Sequence, residues 1–382
     1  MKVLAVIDSF KGSMSSLEAG EAAAEGIHRA DPDAEVLVRA LADGGEGTVR
    51  AMVSNGNGRL RTVQVTGPLG EPVACEYGIL QEAGTAVIEM AGAAGLVLVP
   101  EEKRNPMHTT TYGVGEVIRD AIGQGCRNFI VGIGGSATND GGVGMLQALG
   151  YGFLDRNGHQ IPYGAAGLKE LECITDEFVI PELEECRFRI ACDVTNVLCG
   201  EQGCSAVFGP QKGATPVMIR QMDQWLEHYA ALAAEKFPHA DPKKAGTGAA
   251  GGLGFAFLTF TEARLMSGIT IVLEETGIEE KIQEADLVIT GEGRLDGQTA
   301  MGKAPAGVAR LAAKYGKPVV ALAGGVTKDA SACNEAGITA YFPIVRGPVS
   351  LEEAMDREHA RENLADTAEQ VYRLWKVRED KK

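Results

Sequence analysis

Histidine is in short supply: six in 382 residues, at positions 28, 108, 159, 228, 239 and 359. None falls in the glycine-rich stretches described below, which disfavours acid–base chemistry built on imidazole there. Basic charge is sparse as well. The net charge is -16, lysines and arginines are scattered, and the one basic cluster is the terminal WKVREDKK, so neither nucleic acid nor an anionic membrane surface is an expected partner. No apolar run approaches the roughly 20 residues of a membrane span, and MKVLAVIDSF reaches Asp8 too early for a signal-peptide core. A cytoplasmic location is expected. The eight cysteines include no C-x-x-C pair, and the four between 186 and 204 are separated by five, six and four residues; this favours reduced, partly buried thiols over a zinc site. Repeats and low-complexity segments are missing too. A homo-oligomer is compatible with all of this.

What is present is a chain 45% hydrophobic, long enough for two to three domains. Apolar, β-branched runs (KVLAVI at 2–7, EVLVRA at 35–40, DLVIT at 286–290, PVVALA at 318–323, TAYFPIV at 339–345) alternate with helical patterns such as SLEAGEAAAEGIHRA and PAGVARLAAKYG. That rhythm predicts parallel βαβ units. It is cleanest at the two ends of the chain. Between them, TVQVTG, TAVIEMAG, NFIVGIGG and FRIACDVT predict further strands joined by longer, turn-rich connections. The expected fold class is therefore α/β with two domains: an open parallel sheet built from 1–60 and 285–382, and an inserted glycine-rich α/β domain over 61–284. From about 350 the chain reads as a charged amphipathic helix.

Four unusual stretches follow predicted strands: DSFKGS (8–13), ADGGEGT (42–48), GEGRLDGQT (291–299) and AGGVT (323–327). Ligands of open α/β sheets bind outside the carboxyl ends of the strands, so these stretches are expected to converge on one crevice between the domains. Any one of them could be a plain βα turn. Together they carry Asp, Glu, Lys, Ser and Thr that no turn requires. In the inserted region, VGIGGSATNDGG (131–142) pairs bare backbone with a few polar groups, the composition of an anion-holding loop.

Three motifs resemble known fingerprints. GQTAMGKA (297–304) falls short of a phosphate loop because Ala304 lacks the magnesium-binding hydroxyl, yet Lys303 near a helix start can still meet phosphate. Gly132, Gly134 and Ala137, with Asp155 downstream, mimic a dinucleotide fingerprint, but Asn139-Asp140-Gly141-Gly142 interrupts where the helix should run. In GTGAAGGLGFAF (246–257), close helix packing explains the later glycines about as well as ligand contact does.

Carboxylates, lysines and glycine loops, without a Walker loop or a nucleophile–base pair, suit phosphoryl transfer. There the protein mainly positions groups and neutralises charge. DSFKGS, ADGGEGT, GIGGSATNDGG, CDVTNVLCGEQG (192–203), GAAGGLG and GEGRLDGQTAMGK occur in this order, and over nearly its full length the chain resembles the bacterial glycerate kinase family of the glycerate 2-kinase type. The resemblance implies ATP-dependent, magnesium-dependent phosphorylation of glycerate to phosphoglycerate, 2-phosphoglycerate being the expected product. It also implies a two-domain α/β fold with one flavodoxin-like domain.

The roles expected under that resemblance are these. Lys11 and Asp193 are catalytic, Lys11 as a cation at the crevice and Asp193 as the carboxylate facing the acceptor hydroxyl or its magnesium. Ser13, Asp43, Glu46 and Arg294 bind substrate, Arg294 by bidentate pairing with the carboxylate. Gly134, Gly135, Ser136, Thr138, Asn139 and Lys303 hold ATP, and Glu292 and Asp296 hold the metal. Each has a bland counterpart: an Asx turn for Asp193, a helix cap for Asp43 and Glu46, a salt bridge for Arg294. Two other classes stay open, a nicotinamide-dependent oxidoreductase of a small hydroxy acid and a two-lobed protein that binds a small acid without turnover.

Overall fold

The computed structural model describes residues 1–56, 58–80 and 84–379; the end of the basic tail, 380–382, lies outside the described residues. The chain divides into two compact units, Met1–Asp43, Arg50–Gly56 and Ile269–Lys382 in one, and Gly44–Val49 and Asn57–Gly268 in the other. The boundaries expected from the sequence differ mainly over 269–284. Those residues form the helices Gly268–Glu275 and Ile278–Glu284, which bury Ile269, Ile271, Val272, Ile278 and Ile282. Gly307 of the helix Ala304–Lys314 accepts them closely, since a Cβ there would lie 2.5 Å from Ile269. Apolar packing thus draws the segment into the first unit.

The first unit is built on five parallel strands in the spatial order Ala340–Pro343, Val319–Val326, Leu287–Leu295, Lys2–Ile7, Glu35–Ala40. Counted along this unit's own chain the order is 2-1-3-4-5, the flavodoxin-like arrangement. KVLAVI is buried from Val3 to Ile7, as a strand covered on both faces requires. The helix Ser16–Ala30 starts with a capping box, Ser15 and Glu18 each bonding the other's backbone N–H. It packs with Arg357–Glu379 through Ala23, Ile27, Leu364, Ala368 and Tyr372. Chain direction across the sheet reverses between Lys2–Ile7 and Leu287–Leu295, where Ile7 pairs with Gly291.

GEGRL and AGGV, expected as loops, continue their strands: Glu292 pairs with Ala323 and Arg294 with Gly325. Their glycines serve close approach instead of turning, because a Cβ on Gly291 would lie 2.0 Å from the Leu322 carbonyl and one on Gly324 2.6 Å from that of Gly293. Glu292 consequently stands on a rigid strand.

The second unit holds a six-stranded sheet. Ala263–Met266, Arg187–Ala191, Asn128–Gly132 and Thr85–Glu89 are parallel neighbours, and Pro72–Leu80 and Gly58–Thr66 add an antiparallel edge. Its core stacks Phe129 on Phe188 and gathers Tyr229, Phe255 and Phe260. The cysteines are free thiols, Cys75, Cys126, Cys186, Cys204 and Cys333 being buried. Among the described residues no helix is long and apolar enough to cross a membrane.

Candidate active site

In the first unit the reversal point is lined by acid. Asp8 follows the strand Lys2–Ile7 and continues its ladder, its N–H donating to Gly291 at 2.9 Å. Its carboxyl is 6% exposed and accepts from Ser9 N–H at 2.7 Å. Burial, followed by the negative charge of Asp43, raises its pKa to about 7; Glu292 adds to the rise and Lys11 opposes it. Burial likewise raises Glu292 above the usual carboxylate range, against a hydrogen bond from Thr299 and the charge of Lys303. Asp8 and Glu292 therefore sit in a neighbourhood that undercompensates their charge, with Asp43 acting on both.

Lys11 is exposed in a tight turn closed by Ser13 N–H to Phe10 carbonyl at 2.8 Å, with Gly12 at φ 78°. It forms no hydrogen bond or ion pair among the described residues. The Ser13 hydroxyl oxygen is buried and without a partner among them. Asp296, expected as a metal ligand, also has a local task. It caps the helix Gly297–Ala300 by accepting from Gln298 and Thr299 N–H, and it lies 3.8 Å from Arg294 Nε and 3.9 Å from Lys303 Nζ. The cap uses Asp296 Oδ1, while Oδ2 stays on the side of Arg294, and the negative charge of Asp296, followed by that of Asp43, acts on Glu292. Arg294 keeps 70% of its side chain exposed, and Glu46 is exposed and counted with the second unit.

In the second unit the strand Asn128–Gly132 leads into the loop 133–142, and the next helix starts only at Val143. Gly134 and Gly135 are exposed, and Gly135 adopts φ 72°. The backbone is tied down on both sides, Leu96 N–H donating to Gly135 carbonyl at 2.8 Å and Ala137 N–H to Ala94 carbonyl at 2.9 Å. The N–H groups of Gly134, Gly135 and Ser136 donate to no carbonyl among the described residues. Consecutive free N–H groups around a positive φ form an anion-binding concavity. Thr138 and Asn139, expected at the ligand, are fully buried, and the Asn139 amide donates to Ser205 Oγ at 2.8 Å; they build the loop from below. Asp140 is buried too, and its carboxylate takes Thr111 N–H and Oγ at 2.8 Å each and Gly142 N–H at 3.2 Å.

Lys212 went unnoticed in the sequence, where GPQKGA looks like an ordinary turn. It is 2% exposed, and its ammonium donates to Ser136 Oγ at 2.8 Å and to the Thr138 carbonyl at 2.6 Å. A buried lysine can be found only through its partners, which are distant in the chain. The glycines of 246–257 serve packing: the helix Ala249–Phe260 is interrupted at Ala250, Gly251 and Gly252, all at positive φ, and Gly141 N–H donates to Gly251 carbonyl at 2.9 Å. A Cβ on Gly251 would lie 2.1 Å from Thr138 carbonyl oxygen. Gly251→Ala is therefore expected to lower stability by about 2 kcal/mol in urea unfolding, and an unchanged midpoint would show that the loop yields without cost. Asp193 follows Arg187–Ala191 and accepts from Gly268 N–H at 3.3 Å, a bond that fixes the chain leaving Ala263–Met266.

A flavodoxin-like sheet with acid at its reversal point, and a second unit with a lysine-backed glycine loop, are what an α/β enzyme handling small anions requires. Known proteins narrow the class. The model of the glycerate kinase family matches residues 3–376. A glycerate kinase of Bacillus subtilis (strain 168) is 48% identical over 97% of each chain, and a glycerate 2-kinase of Escherichia coli (strain K12) is 48% identical over 93% of each. A crystal structure assigned to glycerate kinase 2 from Salmonella typhimurium LT2 superposes with a TM-score of 0.91 at 46% identity, covering 100% of this chain and 99% of that one. The chain belongs to the glycerate kinase family.

Proposed function

We propose that the chain transfers the γ-phosphoryl group of ATP to the 2-hydroxyl of glycerate, giving 2-phosphoglycerate. The observation that carries the proposal is Asp8. A buried carboxyl at the reversal point of a flavodoxin-like sheet, at the end of the strand Lys2–Ile7, is positioned to take a proton from an alcohol bound there. The proton-accepting role expected of Asp193 is assigned to Asp8, since Asp193 is engaged with Gly268. Lys11, free of partners, is placed on the transferring phosphoryl group. Arg294 offers a planar fork to the glycerate carboxylate, with Ser13 as a further donor to substrate. Glu46 and Lys303 are kept as accessory groups for glycerate and for phosphate. The free N–H groups of Gly134 to Ser136 take the ATP phosphates.

Mg2+ fits this donor set. Glu292, whose carboxyl is raised by burial, would be one oxygen ligand, with Asp43 or Asp296, whose charges act on it, as a second, and magnesium binds through one or two carboxylates with waters and phosphate oxygens completing its shell. When bound it would neutralise charge on the phosphates. Purified protein given MgATP and D-glycerate is expected to release ADP, with 2-phosphoglycerate identified by phosphorus NMR, and to stop without magnesium. L-Glycerate run in parallel reads the stereochemical preference. Oxidation or reduction of a nicotinamide cofactor without ADP release would overturn the assignment.

A further inference from the structure

Lys212 ends the short turn Pro210–Lys212, and Gly213 follows at φ 90°, where a Cβ would lie 2.3 Å from the Arg104 carbonyl. The turn is thereby pinned against the backbone at Arg104, with the lysine side chain inside. Both hydrogen-bond partners of its ammonium, the Ser136 hydroxyl and the Thr138 carbonyl, are neutral. The nearby carboxylate, Asp140, is satisfied by Thr111, Gly142 and Gly144. A buried cation without a bonded anion is costly. In the loop that it bonds, the N–H groups of Gly134, Gly135 and Ser136 carry no acceptor among the described residues, and Thr138 Oγ and Asn139 Oδ are buried without partners among them.

We propose that Lys212 is a positioning residue of the anion loop: through Ser136 and Thr138 it sets the backbone of residues 134–139, and its buried charge makes that loop selective for an oligophosphate chain. This rests on the placement of ATP phosphates at that loop. The anion supplies the missing countercharge without touching the lysine. Burial pulls the pKa of Lys212 down to about 8, so phosphate binding should draw a proton onto it above that pH. The other ionisable groups facing it are Cys204, Asp140 and, beside Asp140, Tyr229. Burial pushes the Cys204 thiol up to about 11, the Asp140 carboxyl is raised by burial from the acid side, and Tyr229, beside Asp140, lies well above its ordinary value.

The test is calorimetric binding of ATP and of inorganic tripolyphosphate to the full chain between pH 7.5 and 9; ATP is essentially fully ionised throughout, whereas tripolyphosphate loses its last proton inside that window, so its profile is read after subtracting its own ionisation. The wild type is expected to bind both roughly five- to tenfold more weakly at pH 9 and to take up protons in buffers of differing ionisation enthalpy. Lys212→Met should bind about tenfold more weakly at pH 7.5 with a flat pH profile. Ser136→Ala, which leaves the lysine in place, should weaken binding less and keep the slope. A flat wild-type profile without proton uptake overturns the proposal, as does a folded Lys212→Met protein with wild-type affinity and slope; if that variant does not fold, the wild-type titration decides alone. A sloped profile in a protein that releases no ADP with glycerate would keep Lys212 and remove the kinase assignment, whereas failure of both phosphates to bind would remove both.

Discussion

Replacing Asp8 with asparagine is expected to slow turnover by roughly a thousandfold and to raise the melting temperature at neutral pH. The kinetic part follows from the role of a positioned base, which contributes about 10² to 10⁴-fold; asparagine keeps the shape, and its oxygen can still accept from Ser9 N–H, but it cannot take a proton. The stability part follows from burial. The folded-state pKa of Asp8, about 7 against 3.8, lies above the unfolded value, so its contribution is fully present below about pH 4 and is lost as pH rises through 7. Wild-type stability should fall across that window by a few kcal/mol on account of this group, and the Asp8→Asn protein should lack that fall. Thermal unfolding at pH 3.5 and 7.5 separates the two effects: equal melting at the lower pH, a gain of a few degrees at the higher. Opposite movement of activity and stability is the signature of a residue strained for function. Turnover within tenfold of wild type would strip Asp8 of the base role, and equal melting at both pH values would mean its charge costs nothing in the fold.

The same residue shows what the sequence does and does not disclose. The central runs KVLAVI, DLVIT and PVVALA are legible because their strands are covered on both faces and are therefore nearly continuously apolar, whereas EVLVRA, on the half-buried edge strand Glu35–Ala40, is legible from its β-branched residues. The end of a strand is harder to see. GEGRL and AGGV look like turns because glycine usually signals one, yet here glycine lets two strands approach where a Cβ would strike a carbonyl. Asp8 stood inside a recognised motif without a role because its importance comes from burial beside Asp43 and Glu292, residues brought near only by the parallel pairing of the sheet. Asp296 shows the converse: an acid next to a glycine-rich turn reads as a ligand, and only the structure shows that one of its oxygens also caps a helix. Lys212 gave no local signal at all. A Pro-Gln-Lys-Gly turn is ordinarily solvated, and only the distant Ser136 and Thr138 reveal it as buried.

Lys11→Met is expected to lower kcat by roughly a hundredfold with little change in KM for glycerate. The side chain lies three residues past Asp8, its charge is felt there as a stabilising influence on the carboxylate, and it has no competing partner among the described residues. A free, exposed cation pays little for its position in the ground state. It can contribute most where negative charge accumulates on the transferring phosphoryl oxygens, which raises kcat and leaves KM alone. If the lysine instead anchors the glycerate carboxylate, that contact exists in both ground and transition states, and KM should rise with kcat nearly kept. Arg294 makes the second outcome the weaker expectation, because its guanidinium matches a carboxylate in two parallel hydrogen bonds and a single ammonium does not. Arg294→Lys supplies the control: it keeps the charge and should raise KM for glycerate while sparing kcat. A third pattern, both constants of Lys11→Met within about twofold of wild type, is what a solvated surface lysine gives. It would leave the acid groups of the first unit without their cation and would require Lys303, whose charge already acts on Glu292, to take its place.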